Sequence, residues 1–163
     1  MNKNKLIGLI TSMPESVYTQ RSFDGIFEQC NKYGYDVAVF SSLTHVSSCH
    51  KDYVKGEINI FELINFDMLD GVIVDTIPLT EEHITDVTDY ITEKLKRECS
   101  KPVVVLNAGF GDFPVSKSND HDIFREITRH VIEDHGRKNV YVLTGMKDYS
   151  ISQERLKPCL EVM

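Results

Sequence analysis

Short apolar runs alternate along this chain with stretches of helical periodicity, and that alternation constrains the fold more than any other feature. The runs are Leu6–Ile10, Asp36–Phe40, Gly71–Asp75, Val103–Asn107, Pro114–Lys117 and Val140–Thr144. Strands separated by helices are the signature of a parallel sheet covered by helices. The first helix is expected from about Thr19, with Phe23, Ile26, Phe27, Cys30 and Tyr33 on one face and Gly34 just past its end. Residues 41–57 read as polar and irregular, and "INIFELINFDMLD" as a short helix leading into the third run. Thr80 is placed to cap the next helix, with Glu81 and Glu82 in its first turn and Lys94, Lys96 and Arg97 in its last, which suits the helix dipole. Its inward stripe is Ile84, Val87, Ile91 and Leu95. Asp120 is expected to cap a helix with Ile123, Phe124, Ile127 and Val131 inward, and Ser150 with Gln153 makes a capping box for a last helix.

Right-handed crossovers leave few ways to arrange such strands. The expected fold is α/β, a three-layer sandwich whose parallel sheet has the order 2-1-3-4-5, with Leu6–Ile10 in its interior. A chain of 163 residues suffices for one real core. The net charge of −7 argues against direct nucleic-acid contact, because phosphate binding needs a basic surface. No apolar stretch approaches the ~20 residues needed to span a bilayer. The apolar part of "MNKNKLIGLITSMPES" also falls short of the roughly 7–15 residues of a signal peptide. A cytoplasmic protein without membrane contact is expected, with Cys30, Cys49, Cys99 and Cys159 as free thiols.

Catalytic and cofactor patterns find little footing. "ITSMPES" has no glycine, so it is neither a dinucleotide fingerprint nor a P-loop. As a hydroxyl-rich phosphate loop, Thr11–Ser16 loses a donor at Pro14 and gains a repelling charge at Glu15. "GFGD" at 109–112 reads as a turn. Asp75 ends the third run where a phosphoacceptor aspartate would sit, but Thr11, Ser12 and Met13 stand where an acidic pair would have to hold Mg²⁺. "HVSSCH" offers His45, Cys49 and His50, types that suit zinc, with no fourth ligand near; it reads as a solvated loop. Glu126 and His130, at i, i+4, read as a surface contact. There is no GxSxG elbow and no SxxK pair. The chain is therefore expected to be no enzyme, with no metal and no cofactor.

The order of its pieces does resemble a known family. "IGLITSMPESVYTQRSFDGIFEQCNKYGYDVAVFSS", "LDGVIVD", "KPVVVLN", "FPVSKSNDHDIFREITRHVIEDHGRKNVYVLTG" and "SISQERLKPCLEVM" follow one another as in the ligand-binding domain of lactose-repressor-type regulators and periplasmic sugar-binding proteins. That resemblance implies a periplasmic-binding-protein-like fold, with a first lobe at 1–118 and the start of a second lobe at 119–163. It implies a fragment of a longer protein without the repressors' DNA-binding head. It also implies a sugar-like small-molecule ligand, a homodimer, and a sensing role in a transcription regulator or in a signalling protein such as a diguanylate cyclase. In such a fold the strand ends line a cleft, so Ser12, Met13 and Tyr18 would form one wall. Ser41, Ser42, Asp75, Asn107 and Phe110 would share the same rim, and Asn119–Asp120 would form the family's "DN" turn. The sequence departs from the family where Arg155 is followed by Pro158 and Cys159 rather than R-x-x-G-[FY], and where Ile123 replaces a glycine. An altered ligand, or a degenerate domain that only dimerises, is the alternative.

Overall fold

The structure is a computed structural model, which describes residues 5–43, 51–79, 85–107, 109, 111–145, 147 and 150–163. It divides into two compact units, Met1–Ser116 and Lys117–Met163.

The first unit holds a five-stranded parallel sheet in the order β2-β1-β3-β4-β5, as the alternation of runs and helices predicts. The strands are β1 (Lys5–Ser12), β2 (Tyr35–Ser42), β3 (Gly71–Asp75), β4 (Val103–Leu106) and β5 (Val115–Ser116). Helix α1 (Val17–Lys32) joins β1 to β2, and Gly34 at φ +72 ends it in the left-handed conformation that glycine takes without strain. The helix starts earlier than Thr19 because Ser16 caps it, accepting from the Thr19 N–H at 3.0 Å.

Pleating sends alternate residues of each strand to opposite faces. On one face Ile10, Val72, Val74, Val103 and Val105 form the core with Phe61, Ile64, Phe66, Leu69, Val87, Ile91 and Leu95. The last three come from α4 (Thr85–Glu98) and are the stripe its spacing predicts. Thr80, Glu81, Glu82 and Ile84 lie outside the described residues. Lys94 is nearly buried, its Nζ 2.9 Å from both Glu62 Oε2 and Glu98 Oε2, which ties α4 to the segment before β3.

Two expectations fail here. Residues 51–58 are helical (α2, Lys51–Ile58) rather than irregular, a segment too short and polar to show periodicity, anchored where Ile58 packs on the core. The stretch read as one short helix is two 3₁₀ turns, Asn59–Leu63 and Phe66–Met68, the second capped by Asn65, whose side chain accepts from Asp67 N. Before β4 the short α3 (Thr76–Leu79) is buried, and Thr76 Oγ1 donates to Leu106 O at 2.7 Å.

The second unit contains α5 (Asp120–Arg129), a π-helical turn (His130–Asp134) and α6 (Ser150–Val162). The expected inward stripe of α5 is corrected: Ile123 and Ile127 are about half exposed, whereas Thr128 is buried and Phe124 half-buried. The expected strand Val140–Thr144 does not form. Its residues alternate between half-buried and exposed, with Tyr141 at 91% and Leu143 at 98%, but no described strand pairs with it. A strand needs a neighbour about 4.8 Å away to satisfy its backbone, and apolar periodicity does not supply one.

Candidate functional site

The C-terminal ends of β1, β3 and β4 bring Ser12, Met13, Tyr18, Asp75 and Asn107 to one rim of the first unit. Asn107 is its hub. It sits in the left-handed region at φ +74, which asparagine tolerates better than most side chains. Its backbone N–H donates to Ser116 O at 2.8 Å, while Nδ2 donates to Tyr18 Oη at 2.7 Å and to Asp75 Oδ1 at 3.2 Å. One amide thus ties the start of α1 to the ends of β3 and β4.

Asp75 is fully buried, with Oδ2 making no hydrogen bond. Burial pushes its carboxyl up to about 6, against hydrogen bonds from Ser22, Asn107 and the Ile77 backbone, which favour the charged form. Near pH 6 the group is poised between acceptor and donor. Ser22 was not among the residues singled out from sequence. The available signal was its position four residues after Tyr18, on the same face of α1.

Met13 too has a positive φ, at +52, and it is buried. A methionine in that region costs roughly 1–3 kcal/mol, and such outliers collect at binding sites. Its strain is held by Met13 N–H donating to Ser42 O and Ser16 N–H donating to Met13 O, both 3.0 Å.

Several expected ligand groups are engaged within the fold. Ser12 and Ser42 are buried, and Ser42 Oγ donates to Ser12 Oγ at 3.0 Å. Thr19 Oγ1 donates to Ser12 O at 3.3 Å, and Ser41 Oγ to Ser42 O at 3.1 Å. These hydroxyls join β1, β2 and α1 to one another. Tyr18, 39% exposed, is the rim's open apolar face. Phe110, like His45, Cys49 and His50, lies outside the described residues.

Asn119 and Asp120 belong to the second unit. Asn119, rather than Asp120, caps α5: its Oδ1 accepts from Asp122 N at 3.3 Å, and Asp120 is the first helical residue. Asp120 accepts from Arg155 Nε at 2.7 Å and from the Ser118 hydroxyl, and the Ser118 hydrogen bond holds its carboxyl below the usual range with help from Arg155. Arg155 also lies over the Phe124 ring, 5.6 Å from its centroid. A cavity of about 560 Å³ in this unit, lined by Arg137, Lys138 and Tyr141 among others, contains none of the predicted site residues. The strand-end rim carries the stronger evidence, because strain, a buried carboxyl and an exposed aromatic coincide there.

A five-stranded parallel sheet in this order matches a periplasmic-binding-protein-like fold. No protein-family model matches the sequence, and no curated protein matches it. Solved structures do. The lac repressor dimer, bound to operator and the anti-inducer ONPF, aligns over 99% of this chain and 51% of its own, with a TM-score of 0.66 and 14% identity. The LacI-family regulator CcpA from Weissella paramesenteroides, with bound sucrose, aligns over 96% and 54%, at 0.66 and 15%. An ABC sugar transporter subunit from Rhodobacter sphaeroides aligns over 97% and 51%, at 0.64 and 15%. This chain therefore has the fold of LacI-type and related sugar-binding domains, and it spans about half the length of the solved chains it matches. No helix among the described residues is long and apolar enough to cross a membrane.

Proposed function

We propose that this chain is part of a small-molecule sensing domain of a bacterial regulatory protein and that its ligand is sugar-like. The observation that carries the reading is the Tyr18–Asn107–Asp75 chain of contacts at the strand ends. An amide and a carboxyl near its midpoint can serve hydroxyls as donors or acceptors, and the Tyr18 ring can stack on a sugar face. The solved structure with sucrose and the sugar transporter subunit support that ligand class. Residues 1–118 are the first lobe and 119–163 the start of the second, a division the two compact units support. The protein acts without catalysis in the cytoplasm as a homodimer, with no direct nucleic-acid contact by this chain. Its effector is a transcription regulator or a signalling enzyme such as a diguanylate cyclase.

A second reading, a domain that only dimerises, draws on specific observations. The Ser12 and Ser42 hydroxyls are spent on each other, and α1 exposes Phe27 while Tyr33 just beyond it is exposed too. A thermal-shift screen against concentrated pentoses, hexoses, nucleosides and amino acids separates the two, since a ligand that binds only the folded state raises its stability. Stabilisation by sugars that Tyr18→Ala removes supports sensing. No shift with any compound sinks it in favour of the dimerisation domain.

A further inference from the structure

The π-helical turn at the end of α5 does something the sequence does not advertise. On an ideal α-helix residues five apart point about 140° away from each other. Here the His135 N–H donates to His130 O at 3.2 Å, the i to i+5 bond of a π turn, and this wider turn stacks the two residues on one side. Gly136, at φ +58, then ends the helix. The rings meet edge to face with centroids 4.6 Å apart, and their Nε2 atoms lie 3.0 Å from each other. His130 therefore does not pair with Glu126, as its spacing suggests. Its Nδ1 is 2.6 Å from Asp134 Oδ2.

We propose that His130 and His135 form a binding site for a divalent transition-metal ion of the imidazole-preferring kind. The Asp134 carboxylate holds the proton of His130 on Nδ1, which leaves the Nε2 lone pair free, and this carboxylate–imidazole–metal arrangement is the one that raises ligand basicity. His135 binds as its Nδ1–H tautomer: the proton of its Nε2 passes through solvent to Nδ1, and the ion takes the place between the two Nε2 atoms. With metal–nitrogen bonds of ~2.0–2.1 Å, the 3.0 Å separation subtends roughly 90–97° at the ion, the cis angle of a tetragonal Cu(II) or Ni(II) site. A tetrahedral zinc site would need the rings to spread by a few tenths of an ångström. Among the described residues no three ligating side chains converge on one point, so Asp134 stays outside the coordination sphere and water fills the remaining positions. Both rings are exposed, so neither ligation nor substitution disturbs a core. The site belongs to the second unit and is independent of the sugar-sensing proposal.

Calorimetric titration of the whole chain with CuCl₂, NiCl₂ and ZnCl₂, in a non-chelating buffer at neutral pH, tests this. The expected result is a tightest site of one ion per chain, lost in both His130→Ala and His135→Ala. Asp134→Asn should weaken it roughly 10–100-fold, and the circular dichroism of all three variants should be unchanged. The electron paramagnetic resonance of the copper form should show two coordinating imidazole nitrogens in the parent and one or none in each histidine variant. The absence of binding would overturn the proposal. So would binding that survives His130→Ala with His135→Ala, which would assign the ion to other ligands such as His45, Cys49 and His50.

Discussion

The two units of this chain bury their side chains very differently. In the first, the sheet and the helices on one of its faces enclose a continuous core from Ile10 and Phe61 to Val105. Among the described residues of the second, Pro158 and Cys159 are the buried apolar ones, while Ile123, Ile127, Tyr141, Leu143 and Leu160 face outward. Hydrophobic stabilisation follows area removed from water, so the first unit supplies most of the chain's stability. The second ties α5 to α6 with polar contacts, such as Arg155 on Asp120 and His121 Nε2 at 3.3 Å from Glu161 Oε2. A fold of this type can be half stable and half in need of a neighbour.

The sharpest way to break that contrast is to truncate a side chain in each half. Phe61→Ala should destabilise the chain by about 3–5 kcal/mol in chemical denaturation, since it empties a fully buried aromatic site. Ile127→Ala should change stability by less than about 0.5 kcal/mol. A large loss from the second substitution would show that the exposed face of α5 is covered in solution, by a second copy of the chain.

Two aspartates carry the contrast into pH dependence. The folded pKa of Asp75 is raised to about 6, so the native state holds its proton more tightly than the unfolded state does. Below about pH 4 both states are protonated and Asp75 carries no penalty. The penalty grows as pH rises from there and levels off above about 6, near 3 kcal/mol at 1.36 kcal/mol per pKa unit. Asp75→Asn should therefore stabilise the protein by up to about 3 kcal/mol at neutral pH and by nothing at pH 4. Destabilisation at neutral pH would mean that the carboxylate is ionised and partnered. Asp120 has the opposite sign. Its pKa is lowered, so its contribution is present above the unfolded range and lost as pH falls through the folded value.

The same contrast explains what was legible in the sequence. Strand order, the Val87–Ile91–Leu95 stripe and the role of Gly34 are recorded locally, in period, handedness and a single conformational need. What went astray depends on a partner. Val140–Thr144 has a strand's periodicity but no neighbouring strand, and α2 is too short and polar to show any periodicity. His130 faces Asp134 and His135 rather than Glu126 because a π turn shifts the register by one residue. At the rim, Asp75 and Asn107 could be located from strand ends. The pairing of Ser12 with Ser42 is set by strand register, and the protonation of Asp75 by burial, and neither is written in any short motif.

A smaller effect than those at Phe61 and Asp75 is expected from the Asp120–Arg155 pair. Both groups reach solvent, so Arg155→Ala should cost about 0.5–1 kcal/mol near neutral pH, less in high salt. The loss should shrink at low pH as Asp120 takes up a proton. A pH-independent loss would assign the effect to Arg155 packing on Phe124 instead.

The central claim, that the strand-end rim of the first unit receives the ligand, is tested most directly by amide NMR titration of this chain with pentoses, hexoses and disaccharides. One wall offers a stacking ring worth ~1 kcal/mol and a few hydrogen bonds of about 1 kcal/mol each. Immobilising a ligand loses several kcal/mol, so affinity should be millimolar or weaker. Shifts should centre on the amides of Met13, Tyr18 and Asn107 and vanish in Tyr18→Ala. Micromolar binding, or shifts confined to residues away from this rim, would contradict the account.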